Sequence, residues 1–135
     1  MTPRIQEVTF ECTDPQAITA FYGRVMQRPW GYRAEPGGVV DAGDLFLLFM
    51  SASPEGSATS NRLHLDVEVD DLVTGVEAAT ALGATPTGES YDDPAGGGYV
   101  TLRDPEGNAF CLVSQPGGEW TALLRDILGS GEDHA

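Results

Sequence analysis

Two stretches of this sequence follow one plan, and a chain that repeats itself has few ways to fold. Glu7-Val8-Thr9-Phe10-Glu11-Cys12-Thr13-Asp14 alternates, with Val8, Phe10 and Cys12 on one side. His64-Leu65-Asp66-Val67-Glu68-Val69-Asp70-Asp71 alternates in the same way, with Leu65, Val67 and Val69 on one side. Period-two alternation is the pattern of a strand covered on one face. Each run ends on aspartate. Asp14 suits a helix N-cap and Pro15 the first helical position, where its missing N–H is not needed; Asp70 or Asp71 does the same for the second run.

The helices that follow place Ile18, Phe21, Tyr22 and Val25 on one face, and Leu72, Val76, Ala79 and Leu82 on the other helix's face. Gly83 stands where a helix end wants positive φ. Three short strand candidates come after each helix, near 30–35, 39–41 and 45–50, then near 84–87, 99–103 and 109–114. Asp104-Pro105-Glu106-Gly107 reads as a type I turn between the last two. The expectation is an α+β fold: two βαβββ modules, about 4–51 and 62–115, forming a cup-shaped mixed sheet. A polar linker, 52–61, joins them, and together they make one domain over 1–115. Trp120, Leu123, Leu124, Ile127 and Leu128 have helical spacing, so 116–135 reads as a C-terminal helix that packs, followed by a frayed tail in which His134 is a surface residue.

Composition narrows the partners. Twenty-one acidic residues against seven basic ones give a formal charge of −14, which excludes nucleic acid as a natural partner and modestly favours cationic or neutral ligands. No apolar run reaches membrane-spanning length, and charged residues interrupt the first eleven positions, unlike a signal peptide. Two cysteines, Cys12 and Cys111, are too few for a disulfide framework and read as thiols of a reducing compartment, so the expected location is cytoplasmic.

If the apolar faces of the strands cover helices, the opposite faces point into the cup. Those are Glu7, Thr9 and Glu11 on the first strand, and His64, Asp66 and Glu68 on the fifth. The last strand of each half is apolar on both faces, which implies burial on both sides. Phe46, Leu48 and Met50 then line the cup from one half, and Ala109, Cys111 and Val113 from the other. Tyr99, Thr101 and Arg103 point in or toward the rim. Arg103 either pairs with a neighbouring carboxylate or holds a ligand carboxylate. A few polar groups on an apolar wall are how small-molecule sites are built.

Asp14-Pro15-Gln16-Ala17 followed by Phe21-Tyr22, then 61–67, then 104–112 with its Asp-Pro-Glu-Gly-Asn, resemble the glyoxalase-like branch of the vicinal oxygen chelate (glyoxalase/bleomycin resistance/dioxygenase) superfamily over about residues 4–115. The superfamily includes glyoxalases, extradiol dioxygenases, epimerases and metal-free resistance proteins. By the resemblance, metal ligands of the metalloenzyme members fall on Glu7, Leu48, His64 and Cys111, and only His64 matches the usual identity. The departure argues against an oxygen-activating dioxygenase, which wants two histidines and a carboxylate. No cofactor is assigned; Glu7, His64 and Cys111 are candidate metal ligands, a set that suits a divalent ion such as zinc, with Asp66 joining or orienting it. Without metal, Glu7 and His64 either form an acid/base pair or hydrogen-bond to each other and shape a pocket. The expected function is a small-molecule binder, as a lyase or isomerase using Glu7 and His64. The alternative is a metal-free sequestering protein for an aromatic or cationic compound, with Trp30, Tyr32, Phe46 and Tyr99 for stacking. The resemblance also implies a homodimer.

Overall fold

The computed structural model describes residues 2–52 and 62–129. The expected linker beyond residue 52 and the tail with His134 lie outside them. The elements run β1 (Arg4–Cys12), α1 (Pro15–Met26), β2 (Trp30–Tyr32), β3 (Gly38–Asp41), β4 (Phe46–Ser51), β5 (Leu63–Glu68), α2 (Leu72–Ala81), β6 (Thr85–Asp92), β7 (Gly98–Arg103), β8 (Ala109–Ser114) and α3 (Glu119–Gly129). The fold is α+β: an open eight-stranded sheet in the order β2-β3-β4-β1-β5-β8-β7-β6, with three helices.

The sheet has an internal two-fold character. β1 and β5 pair antiparallel at its centre, and each runs parallel to the last strand of its own half, β4 or β8. Across the seam Glu7 faces Asp66 and Thr9 faces His64. The helix caps follow from the sequence. Asp14 accepts from the Ala17 N–H at 3.2 Å, and Asp71 accepts from the Thr74 N–H at 2.9 Å. Of the two aspartates open to the second helix, Asp71 takes the role.

α1 seats differently from the expected face. Its buried residues are Pro15, Thr19 and Gly23, with Ile18 and Tyr22 beside them, while Phe21 and Val25 are exposed. The cause is close approach. A Cβ at Gly23 would overlap the Trp30 ring, and one at Gly38 would overlap Thr19. The helix therefore settles on its smallest residues, above Phe10, Val40 and Phe49. α2 packs Leu72, Val76 and Ala79 on Val69, Leu102 and Leu112, whereas Leu82, at its C-cap, is exposed.

α3 packs rather than protrudes, and it packs on the other face of the first half. Leu124 and Ile127 are fully buried against Val39, Phe46 and Leu48. β2, β3 and β4 are thus sandwiched between α1 and α3, while the corresponding inner face of β6, β7 and β8 stays open. β6 is twice its expected length, because a register shift between Pro86 and Ser90 breaks the alternation that would have marked it. Among the described residues no helix is long and apolar enough to cross a membrane.

Candidate functional site

The open inner face, the β1–β5 seam and the start of α3 enclose a cavity of about 580 Å³. That volume lies in the range of small-molecule pockets. Its deepest residues come from the seam and its neighbour β8. Glu7, Thr9, Asp66 and Cys111 are all buried there, with His64 partly so.

Register explains the convergence. Alternation sends Glu7 and Thr9 of β1, and His64 and Asp66 of β5, to the inner face, and the parallel β5–β8 pairing sets Asp66 opposite Cys111. The Thr9 hydroxyl donates to Asp66 Oδ2 at 2.6 Å, and His64 Nε2 lies 3.5 Å from Asp66 Oδ1. Thr101 Oγ1 and Cys111 Sγ are 3.3 Å apart. Trp120, on α3, donates its indole N–H to Glu7 Oε1 at 2.8 Å. Glu7 is therefore held by Trp120 and Asp66, and His64 acts on it through charge; the expected Glu7–His64 hydrogen bond is replaced by a His64–Asp66 pair.

These surroundings set the protonation. Burial, and then the charge of Asp66, push the Glu7 carboxyl well above its ordinary 4.5, against a partial pull downward from Trp120 and His64. For His64 burial works downward, but the hydrogen bonds and charges of Asp66 and Cys111 outweigh it and carry the imidazole up to about 10. The surroundings therefore favour the protonated form of both groups, a carboxylic acid at Glu7 and an imidazolium at His64.

Among the described residues, the ligand atoms of His64, Asp66 and Cys111 all lie within 4.8 Å of one another. Imidazole, carboxylate and thiolate are all zinc donors, and Thr9 and Thr101 stand behind two of them as outer partners, so the residues fit a divalent ion. Asp66 takes the place that the sequence reading gave Glu7 in that set.

Of the other residues singled out from the sequence, Leu48, Met50, Tyr99 and Thr101 lie in the cavity wall. Phe46 does not: α3 covers it, with Arg125 over its ring at 4.8 Å. Ala109 and Trp30 are also buried elsewhere, Trp30 beneath α1. Arg103 lies outside the wall and donates to the Gly107 carbonyl at 2.9 Å, bracing the turn before β8. Several wall residues escaped sequence reading, Glu89, Asp93, Glu119, Gln6, Tyr91 and Trp120 among them. Gln6 turns inward because β1 carries a bulge between Ile5 and Glu7. Tyr91 sits on the irregular part of β6, and Trp120 was legible as a packing residue but not as the partner of Glu7.

A family model described as a glyoxalase-like domain matches residues 7–113. No curated protein matches the sequence. Several solved structures share the fold. Methylmalonyl-CoA epimerase from Mycobacterium tuberculosis aligns with a TM-score of 0.60 at 14% identity, over 87% of this chain and 91% of that one. Methylmalonyl-CoA epimerase from Streptomyces coelicolor, in complex with 2-nitronate-propionyl-CoA, aligns with a TM-score of 0.60 at 19% identity, over 84% and 95%. A glyoxalase/bleomycin resistance protein/dioxygenase superfamily member from Vibrio splendidus gives 0.56 at 18%, over 84% and 98%.

Proposed function

Because the chain belongs to the glyoxalase-like domain family, we propose that it binds a small organic molecule in the seam cavity and moves a proton on it, as an isomerase or lyase. The observation that carries this reading is the position of Glu7. Its carboxyl is only 4% exposed yet lines an open cavity, with one oxygen fixed by the Trp120 N–H and Asp66 across the strand pair. Of these two hydrogen-bonded carboxyl groups, Glu7 is the one whose protonated form is favoured, by burial and by the neighbouring charge. The charged member removes a proton from a carbon beside a carbonyl, and Glu7 returns one to the same or a neighbouring atom. His64, held cationic by Asp66, supports the negative charge that develops on the carbonyl oxygen. A divalent ion held by His64, Asp66 and Cys111 would supply Lewis acidity to that oxygen, at the cost of the imidazole proton.

The test is proton exchange. The protein is placed in D2O with carbonyl compounds bearing an α C–H (2-hydroxy ketones, 2-methyl thioesters and 2-amino ketones), and the α-proton signal is followed by NMR. Wild type exchanges at least one class, and Glu7→Gln slows it by about 10²-fold or more. Silence across the panel, or wild-type exchange by the variant, overturns the reading.

Two further expectations accompany it. Unpaired Cys12 and Cys111 support a cytoplasmic protein. Ile5, Leu63 and Leu65, exposed together on the outer face of β1 and β5, support a homodimer, which Leu65→Arg should dissociate in sedimentation measurements.

A further inference from the structure

We infer that the molecule this cavity takes is an organic cation: a protonated amine carried on an aromatic or apolar body. The inference rests on the cavity being the functional site, as proposed above, and adds the class of ligand.

It starts from where positive charge is absent. All seven basic residues of the chain are arginines, and none lines the cavity. Each is placed elsewhere. Arg4 pairs with Glu68 at 3.0 Å, and Arg28 and Arg125 both reach Asp41. Arg33 bonds Asp126, Arg24 lies over the Trp30 ring, and Arg103 braces its turn. Arg62 borders a separate cleft beside α1. A phosphate or carboxylate in the cavity would therefore meet no guanidinium, and guanidinium is what recognises such groups.

Carboxylates occupy the wall instead. Beyond Asp66 at the bottom, beside a Glu7 whose protonated form is favoured, Glu89, Asp93 and Glu119 stand toward the mouth. The one positive side chain, His64, pairs with Asp66 through Nε2, while its buried Nδ1 has no partner. Distant surface charges are screened within about 8 Å at physiological salt, so these lining groups dominate what a ligand feels.

Two unmet acceptors point the same way, independently of charge. Gln6 is 1% exposed and lines the cavity. Its Nε2 donates to Thr121 Oγ1 at 3.2 Å, but its Oε1 receives no hydrogen bond. Glu89 Oε1 is likewise buried without a donor. Buried acceptors left unmatched are costly, and a ligand N–H satisfies them. An ammonium supplies three such donors; a carboxylate supplies none. The body of the ligand is set by Tyr91 and Tyr99, whose rings lie 6.0 Å apart on the β6–β7 side, and by Leu48, Met50 and Trp120 opposite. Aromatic faces also attract a cation.

The probes are phenethylamine, its neutral isostere 2-phenylethanol and the anion 3-phenylpropionate, titrated into the purified protein by calorimetry and by amide NMR shifts. Phenethylamine is expected to bind at least tenfold more tightly than 2-phenylethanol, and to weaken as salt rises, while 3-phenylpropionate gives no saturable shift. The double variant Glu89→Gln, Asp93→Asn should cut amine affinity at least fivefold and leave 2-phenylethanol unchanged. Both side chains are partly exposed, and an amide spectrum unshifted away from the cavity verifies that these isosteric changes leave the fold intact. Equal binding of amine and alcohol, preference for the anion, absence of amine binding, or amine binding indifferent to the double variant each overturn the inference. Amine binding without α-proton exchange of any compound in the panel would sink the proton-transfer reading alone. Exchange confined to neutral or anionic substrates would sink the ligand class alone.

Discussion

In the first half of the sheet, β2, β3 and β4 are covered on both faces: Val40 and Phe49 lie under α1, Val39, Phe46 and Leu48 under α3. In the second half only the outer face is covered. α2 has no fully buried residue, and the inner face of β6, β7 and β8 opens into the cavity. The strand order is the same in both halves, so the difference comes from α3 alone. Filling one side of a doubled cup leaves the other side as the seam cavity, walled in part by the helix that fills the first. The half that is fully packed serves as a scaffold, and the polar groups gather at the seam and beyond it. A rigid support for a few placed groups is what a functional site requires.

The largest expected effect tests that division. Leu124→Ala opens a cavity where nothing can collapse, and should cost about 2–5 kcal/mol in urea unfolding. Leu82→Ala, on an 85% exposed side chain of the second half, should change stability by less than about 0.5 kcal/mol. Similar losses from both would erase the distinction. The helical glycines give a sharper version. Gly23→Ala drives a methyl into the Trp30 ring and should cost about 1–3 kcal/mol. Gly75→Ala meets Val69 Cγ2 at 3.2 Å and gains helix propensity, so it should stay within about 1 kcal/mol of wild type.

The seam predicts its own pH dependence. Glu7 folds with a pKa above its ordinary 4.5, and His64 folds with one of about 10 against 6.5. Both bind protons more tightly folded than unfolded. Their contribution is complete below 4.5 and 6.5 respectively, and is lost as pH rises through the folded values. In chelator-treated protein, the unfolding free energy should fall between pH 7 and 10, and His64→Gln should flatten that decline. A wild-type curve flat over this window would contradict the assignment. A smaller change at the seam is expected of Trp120→Phe. It removes one hydrogen bond, costing about 1 kcal/mol, and should raise the Glu7 pKa further, because that bond pulls it down.

How much of this could be read from the chain varies by residue. Glu7, Thr9, His64 and Asp66 share the inner face because period-two alternation on β1 and β5 is undisturbed there, and that pattern is visible in sequence. Gln6 is not, since a bulge breaks the period beside it, and a bulge leaves no clear sequence mark. The same loss of period hides Tyr91 and the true length of β6. Phe46 fails for a different reason: which element covers a strand's second face is a tertiary matter, and nothing local distinguishes a cup wall from the bed of α3. Phe21 and Val25 misled through their size. The hydrophobic stripe of α1 suggests large residues inward, but backbone approach at Gly23 and Gly38 puts the small ones there.

The central claim is that a buried carboxyl at the seam, flanked by Asp66 and the Trp120 N–H, holds its proton well above the ordinary carboxyl range. The direct measurement is carbon-13 NMR of glutamate-labelled protein titrated from pH 3 to 9, with Glu7→Gln identifying the resonance. The account predicts one carboxyl carbon that titrates well above 4.5 and vanishes in the variant. A Glu7 resonance that titrates with the surface glutamates would contradict it.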